Sequence, residues 1–238
     1  MCGRFVVFSE PGDLAKLFEV DQIRTEEMPP RYNIAPTQEV YSVAQTSEGE
    51  RRLGTLRWGF VPHWAKEPRS GPINARAETV AEKPMFRTAF SRSRCIIPAD
   101  GFYEWREDPT SGKKIPHFIH REDGNPLAFA GLWSAWRPKD DPDADPLTTC
   151  VIITTAAQDW VEEIHDRMPV TLPEDAWDRW LDPTVDGKDG LQTLLEPRIP
   201  ESLTYRKVST RVNNARNEGA DLLDPVEDEG EETDGAGS

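Results

Sequence analysis

Two apolar runs in close succession decide the fold of this chain: residues 94–106 read RCIIPADGFYEWR. Residues 94–98 and 102–106 are short and rich in side chains that favour strands, so each is a predicted strand. Three similar runs follow at 116–120, 127–133 and 149–155. A series of short β-like runs this dense predicts that a sheet dominates the molecule.

Outside this series, the chain alternates between strand and helix patterns. Further strands are predicted at 2–8, 39–45, 51–60 and 205–208. Helices are predicted at 11–18, at 77–91 with an interruption at Pro84, at 156–164 and at 173–181. Short strands, interspersed helices and 21 prolines predict one α+β domain over 1–226, built around a curled sheet with flanking helices. Residues 227–238 are acidic and lack apolar content, which predicts a disordered tail.

The composition restricts the class of protein. The net charge of −15 argues against a nucleic-acid partner, yet arginines cluster around the motifs and outnumber lysines by 20 to 8. An acidic, lysine-poor surface suits concentrated salt, so we expect a halophilic source, and the charge then reflects the solvent rather than the ligand. No apolar run approaches the roughly 20 residues of a membrane span. We therefore expect a soluble, cytoplasmic monomer without a membrane partner.

The 3 cysteines are few and widely spaced. An odd count at such spacing predicts neither a disulfide framework nor a zinc site. The sequence also has no pair of histidines four residues apart, so we predict no metal site.

Cys2 is the most reactive candidate because it follows the initiator Met directly. Aminopeptidases remove Met before a side chain as small as Cys, which would leave an α-amine and a thiol on adjacent carbons. Their ordinary pKa values are about 8 and 8.5, so both are partly nucleophilic near neutral pH. Such an aminothiol condenses with an aldehyde to give a thiazolidine. The alternative is a small, oxidisable residue without a reactive role.

Glu104 and His165 are candidates for proton transfer. In a strand, Phe102, Glu104 and Arg106 share one face, and aromatic neighbours would raise the pKa of Glu104 towards a useful range. The alternative is a surface Glu paired with an Arg. His165 lies in a polar loop after a predicted helix, and its near-neutral pKa suits acid–base chemistry. Alternatively it interacts with the last carbonyls of that helix.

Asn74 and Arg76 follow a loop rich in Pro and Gly, at the start of a predicted helix. An amide and a guanidinium at that position could hold a phosphate and orient a substrate. The alternative is an Asn that caps the helix with an Arg facing solvent. Trp64 and Met85 could contact bases, although core packing is the alternative for most aromatic residues.

The order of these motifs resembles the SRAP (SOS-response-associated peptidase) family. The matching stretches are CGRF at 2–5, RYNIAPT at 31–37, WGFVPHW at 58–64, INARAET at 73–79, ADGFYEW at 99–105 and IHDRMP at 164–169, with further matches at 208–214, 217–220 and 225–226. They span nearly the whole chain. The resemblance implies a single α+β domain with a central β-barrel-like sheet and a positively charged groove. The acidity and the tail depart from the family pattern.

The resemblance also implies roles for eight residues. Cys2 becomes the crosslinking nucleophile, and the other active-site residues are Asn74, Glu104 and His165. Arg4 and Arg76 hold phosphates, while Trp64 and Met85 belong to the DNA groove and the wedge beside the lesion.

The implied function is to shield abasic sites in single-stranded DNA through a thiazolidine formed between Cys2 and the ring-opened deoxyribose, in the response to DNA damage. This chemistry needs no metal or organic cofactor. Three alternatives stay open: a thiol peptidase or autopeptidase, as the family name implies, an amidohydrolase with an N-terminal Cys such as a glutamine amidotransferase, and a noncovalent single-strand-binding module. Since only Met1 precedes Cys2, we expect no propeptide.

Overall fold

Strands dominate the structure, a computed structural model that describes residues 2–185 and 188–226. The predicted tail at 227–238 lies outside the described residues. The strands are β1 (Phe5–Val7), β2 (Gln22–Ile23), β3 (Arg31–Ile34), β4 (Glu39–Gln45), β5 (Arg51–Trp58), β6 (Asn74–Arg76), β7 (Arg94–Ala99), β8 (Gly101–Glu107), β9 (Lys114–Arg121), β10 (Leu127–Trp136), β11 (Leu147–Ala156), β12 (Arg167–Pro169) and β13 (Leu203–Lys207).

Helical segments are short and lie between the strands. The α-helices are α1 (Pro11–Leu17), α2 (Arg87–Arg92), α3 (Trp177–Leu181) and α4 (Lys188–Gln192). Single 3₁₀ turns are formed by Asp159–Val161, Glu174–Ala176, Thr193–Leu195, Thr210–Asn213 and Ala220–Leu223. In the described part of the chain, no helix has the length and apolar character needed to cross a bilayer.

Five strands of the larger sheet close on themselves. β5, β4, β7, β10 and β11 are hydrogen-bonded in this order, and β11 pairs again with β5 in parallel, with Cys150 opposite Trp58. Closure removes the exposed edges that would otherwise pair with other chains. The predicted α+β domain with a barrel-like sheet is confirmed.

The smaller sheet, in the order β13-β9-β8-β1-β3, packs against this barrel. Phe5 on β1 contacts Trp58 of the barrel edge to face, with ring centroids 5.1 Å apart. Phe102 on β8 meets Phe129 of the barrel at 5.8 Å. The aromatic core between the sheets therefore fixes β1 and β8, and with them the N-terminus and Glu104.

The predicted helix at 77–91 is wrong for most of its length. Residues 77–86 form turns, in which the N–H groups of Thr79 and Glu82 donate to the carbonyls three residues earlier. Pro84 lacks an N–H and disfavours a helical conformation in the residue before it. The helix therefore begins only at Arg87.

The predicted helix at 156–164 is also wrong. β11 extends to Ala156, which pairs with Arg167 of β12. Asp159 adopts a positive φ of 49°, which interrupts any helix, and only a 3₁₀ turn follows. His165 therefore precedes a strand instead of ending a helix.

Candidate active site

Cys2 is fixed by the pairing of β1 between β8 and β3 of the smaller sheet. Phe5 pairs with Ile34 of β3 on one side and with Phe102 of β8 on the other. The Cys2 side chain is fully buried, as are those of Cys95 and Cys150, and all three thiols are free. Cys2 therefore lies in the interior of the protein, and the strand next to β1 is β8, which carries Glu104.

Asn74 holds the backbone of Cys2. It lies on β6, opposite Ile152 of β11, and its Nδ2 donates to the Cys2 carbonyl oxygen at 2.8 Å. Since Asn74 is in a strand, the alternative of a helix cap is wrong. Its Oδ1 is buried and accepts no hydrogen bond from the described residues. An acceptor is thus available beside Cys2.

Glu104 lies on β8 and is only 2% exposed, which differs from the alternative of a surface ion pair. Burial raises the pKa of its carboxyl to about 7. Burial also raises the pKa of the Cys2 thiol, and the negative charge of Glu104 adds to this effect. The two side chains therefore interact electrostatically, and the thiol stays protonated at neutral pH.

His165 lies between the 3₁₀ turn Asp159–Val161 and β12. The backbone N–H of Arg167 donates to its Nδ1 at 3.0 Å, and Asp166 Oδ1 lies 2.8 Å from the same nitrogen. Nδ1 cannot serve both groups at once: without a proton it accepts from the amide, whereas with a proton, in the other neutral tautomer or in the charged ring, it donates to the carboxylate. Burial lowers the pKa of His165, which favours the neutral ring. Asp166 also raises the pKa of Glu104, so this loop lies within electrostatic range of the buried carboxyl.

A groove of about 700 Å³ leads to Asn74. Four of the eight residues singled out in the sequence line it, namely Trp64, Asn74, Arg76 and Met85. Arg76 is exposed and Trp64 is 52% exposed, which is unusual for an indole in a folded protein. Lys83 also lines the groove and adds a second positive charge. The groove therefore combines cationic and aromatic groups.

Arg4 lies apart from the lining of this groove. Its Nη1 donates to Asn33 Oδ1 at 2.6 Å and to the Val212 carbonyl at 2.8 Å. The guanidinium thus ties β1 to β3 and to the C-terminal segment. Its predicted phosphate contact stays a prediction.

Arg167 and Glu78 are not among the site residues predicted from the sequence. Arg167 Nη1 and Nη2 donate to the two carboxylate oxygens of Glu78 at 2.6 and 2.9 Å. Both residues stand inside motifs already quoted: Arg167 is two positions before Pro169, and Glu78 is two positions after Arg76. Their pairing could not be inferred because the two motifs are about 90 positions apart in the chain.

Comparisons of the sequence and of the structure with known proteins point to the same family and fold. Residues 1–215 match the family described as SOS response associated peptidase (SRAP). The chain is 44% identical to the Bacillus subtilis protein named abasic site processing protein YoqW, over 94% of this chain and 99% of the relative. It is 33% identical to abasic site processing protein YedK of Escherichia coli, over 95% and 100% of the two chains. A solved protein from Bacteroides thetaiotaomicron has the same fold, with a TM-score of 0.82 at 22% identity over 94% of this chain and all of the other.

Proposed function

Since the chain belongs to the SOS response associated peptidase family, we propose that it shields abasic sites in single-stranded DNA through a covalent thiazolidine at Cys2. The observation that carries the proposal is that Asn74, which lines a cationic, aromatic groove, donates to the Cys2 carbonyl, while the charge of Glu104 raises the pKa of the Cys2 thiol. The names of the relatives, which describe abasic site processing, support the substrate.

The reaction begins once Met1 has been removed. The Cys2 amine attacks the C1′ aldehyde of the ring-opened deoxyribose, and loss of one water gives an imine. The thiol sulfur then adds to the imine carbon and its proton moves to the imine nitrogen, which closes the thiazolidine ring. One aldehyde and one aminothiol thus give one thiazolidine and one water.

Glu104 supplies proton transfer for both steps. A pKa of about 7 means that its carboxyl is divided between its protonated and ionised forms near neutral pH. The acid form protonates the departing hydroxyl, and the carboxylate accepts the thiol proton, which burial otherwise retains on Cys2. Asn74 orients the Cys2 backbone, and its unpaired Oδ1 accepts from the new amine.

His165 acts on the sugar before the condensation. A neutral ring that accepts the Arg167 N–H at Nδ1 carries its own proton on Nε2. This Nε2–H donates a hydrogen bond to the deoxyribose ring oxygen and stabilises the charge that develops there as the C1′–O bond breaks. The proton of the C1′ hydroxyl moves to that oxygen, which gives the open-chain aldehyde. The same Nε2–H can assist the reverse reaction.

The groove holds the strand. Arg76 and Lys83 offer charge to phosphates, and Trp64 and Met85 offer apolar surface to bases. The Arg4 guanidinium already makes two hydrogen bonds within the protein. In this proposal only the rest of the guanidinium contributes to phosphate binding. We expect the protein to act as a cytoplasmic monomer, and its acidity suits a halophilic host.

A denaturing gel tests the proposal. Protein with Met1 removed is incubated with a single-stranded oligonucleotide that contains one abasic site. We expect a band of lower mobility whose mass equals protein plus DNA minus one water. Cys2→Ala should abolish it, whereas Cys95→Ala, which removes an equally buried thiol, should retain it. Equal absence of adduct with the wild type and Cys2→Ala would overturn the proposal.

The same samples address the peptidase in the family description. A thiol peptidase would cleave a peptide substrate in a Cys2-dependent manner without DNA. A noncovalent binding module would bind DNA with unchanged affinity after Cys2→Ala and would yield no adduct that resists denaturant.

A further inference from the structure

An ion pair joins two active-site segments that are distant in the sequence. The Arg167 guanidinium binds the Glu78 carboxylate through two parallel hydrogen bonds of 2.6 and 2.9 Å. Its Nη2 also donates to the Thr154 carbonyl at 2.7 Å. Paired hydrogen bonds of this kind fix orientation as well as distance. The Arg167 side chain is only 12% exposed, so water competes weakly for it.

The pair spans β11. Thr154 of β11 pairs with Arg76 of β6 and with Pro169 of β12, which lie on its two sides. The Thr154 carbonyl accepts from Ala77 N–H at 2.8 Å as well as from Arg167. The segment that carries Asn74 and the segment that carries His165 are therefore linked through one carbonyl and one ion pair.

The link reaches His165 through the backbone. The N–H of Arg167, whose side chain Glu78 fixes, donates to His165 Nδ1 at 3.0 Å. An N–H donor at Nδ1 selects the tautomer with the proton on Nε2. Without Glu78, Arg167 keeps only the Thr154 carbonyl and its pairing with Ala156 as anchors. Its N–H can then turn away from His165, and Nδ1 can instead donate to Asp166, 2.8 Å away.

We propose that Glu78 is a positioning residue for His165: through Arg167 it fixes the orientation and the tautomer of the imidazole relative to Cys2 and Asn74. The inference rests on the proposed function, because it assigns Glu78 a part in the same crosslinking reaction. Glu78 itself touches neither the thiol nor the sugar. Its carboxylate is stabilised by the bond from Arg167, which lowers the pKa of Glu78 and keeps the pair charged at neutral pH.

A purely electrostatic effect of Glu78 and a positioning role predict opposite results for Glu78→Gln. Glu78→Gln removes a negative charge near a DNA groove, which by electrostatics alone should tighten DNA binding and speed the reaction. If Glu78 positions His165, the same variant should bind DNA at least as tightly yet form the crosslink on the order of 10-fold more slowly at saturating DNA. Glu78→Asp keeps the charge but shortens the reach, so positioning predicts that it too is slow.

The experiment measures three quantities on the full chain with Met1 removed. They are the single-turnover crosslinking rate, the affinity for abasic single-stranded DNA and the ¹⁵N NMR shifts of His165. Asp221→Asn is the matched control, because it breaks the remote ion pair with Arg211 by the same carboxylate-to-amide change. We expect the control to behave as wild type, and both Glu78 variants to lose the Nε2–H tautomer signature.

The outcomes separate this inference from the proposed function. If the wild type crosslinks and Glu78→Gln matches or exceeds its rate, Glu78 does not position His165 and the proposed function stands. If the wild type forms no adduct, the proposed function fails, and the NMR signature alone decides whether Glu78 controls the tautomer. Unchanged His165 shifts in both folded Glu78 variants would overturn the inference.

Discussion

Replacing Glu104 by Gln should stabilise the protein at neutral pH while slowing its crosslinking reaction. The Glu104 carboxyl is 2% exposed, and burial raises its pKa from 4.5 to about 7. The folded state therefore binds the proton more tightly than the unfolded state does. The contribution of Glu104 to the free energy of unfolding is fully present below pH 4.5. It is lost as the pH rises from 4.5 to about 7, and it stays lost above pH 7.

The size of the effect follows from the two pKa values. A rise from 4.5 to about 7 corresponds to roughly 3 kcal/mol of folding free energy at about 1.4 kcal/mol per pH unit. Gln cannot ionise, so Glu104→Gln avoids this cost. Its free energy of unfolding should match that of the wild type near pH 4 and exceed it by roughly 3 kcal/mol at pH 8.

Urea unfolding between pH 4 and pH 8 measures this difference. Glu82→Gln, which removes an exposed carboxylate, controls for the change in net charge and should follow the wild-type curve. A difference between Glu104→Gln and wild type that stays flat across the range would refute the reasoning. So would a variant that is less stable at pH 8. In the gel assay, Glu104→Gln should form the crosslink far more slowly at every pH.

Three further substitutions test the groove and the N-terminus. Asn74→Ala removes the donor to the Cys2 carbonyl, so crosslinking should slow about 10-fold with DNA affinity retained; single-turnover gels measure this, and a wild-type rate would contradict the role. Arg76→Gln should weaken DNA binding and reduce the slope of log affinity against log salt by about 0.7. Fluorescence anisotropy from low to molar KCl measures the slope, and an unchanged slope means that Arg76 meets no phosphate. Trp64→Ala should cost about 1–3 kcal/mol of DNA affinity if a base stacks on the indole, and Trp64→Phe much less; equal losses in the same titration would argue against stacking.

Local pattern predicted the strands well, but only two of the four helices: those at 11–18 and 173–181 form, and those at 77–91 and 156–164 largely do not. Strand β4 at Glu39–Gln45 matches its prediction to the residue, and β7 extends its prediction by a single residue. Alternation and β-branched side chains act over neighbouring residues, so they are readable from sequence. The helix predicted at 156–164 failed because β11 continues to Ala156 and pairs with β12, and a tertiary pairing of this kind overrides local propensity.

The short strands β6 and β12 illustrate the same limit. Each has three residues, too few for a periodic pattern, and each exists because β11 offers it a hydrogen-bonding edge. β6 carries Asn74 to the Cys2 carbonyl, and β12 follows His165. β6 and β12 therefore adopt an extended conformation because they pair with β11.

By itself, the sequence determined which chemistry is available: an aminothiol at Cys2, a carboxyl, an imidazole and an amide in recognisable motifs, and a β-rich fold to hold them. Reactive groups and short-range patterns are properties of the covalent chain. Only the tertiary structure decided that Cys2 is buried against Asn74, that Glu104 has a pKa of about 7, and that Glu78 reaches Arg167. Burial, dielectric surroundings and contacts between distant segments arise when the chain closes on itself, so no local stretch of sequence encodes them.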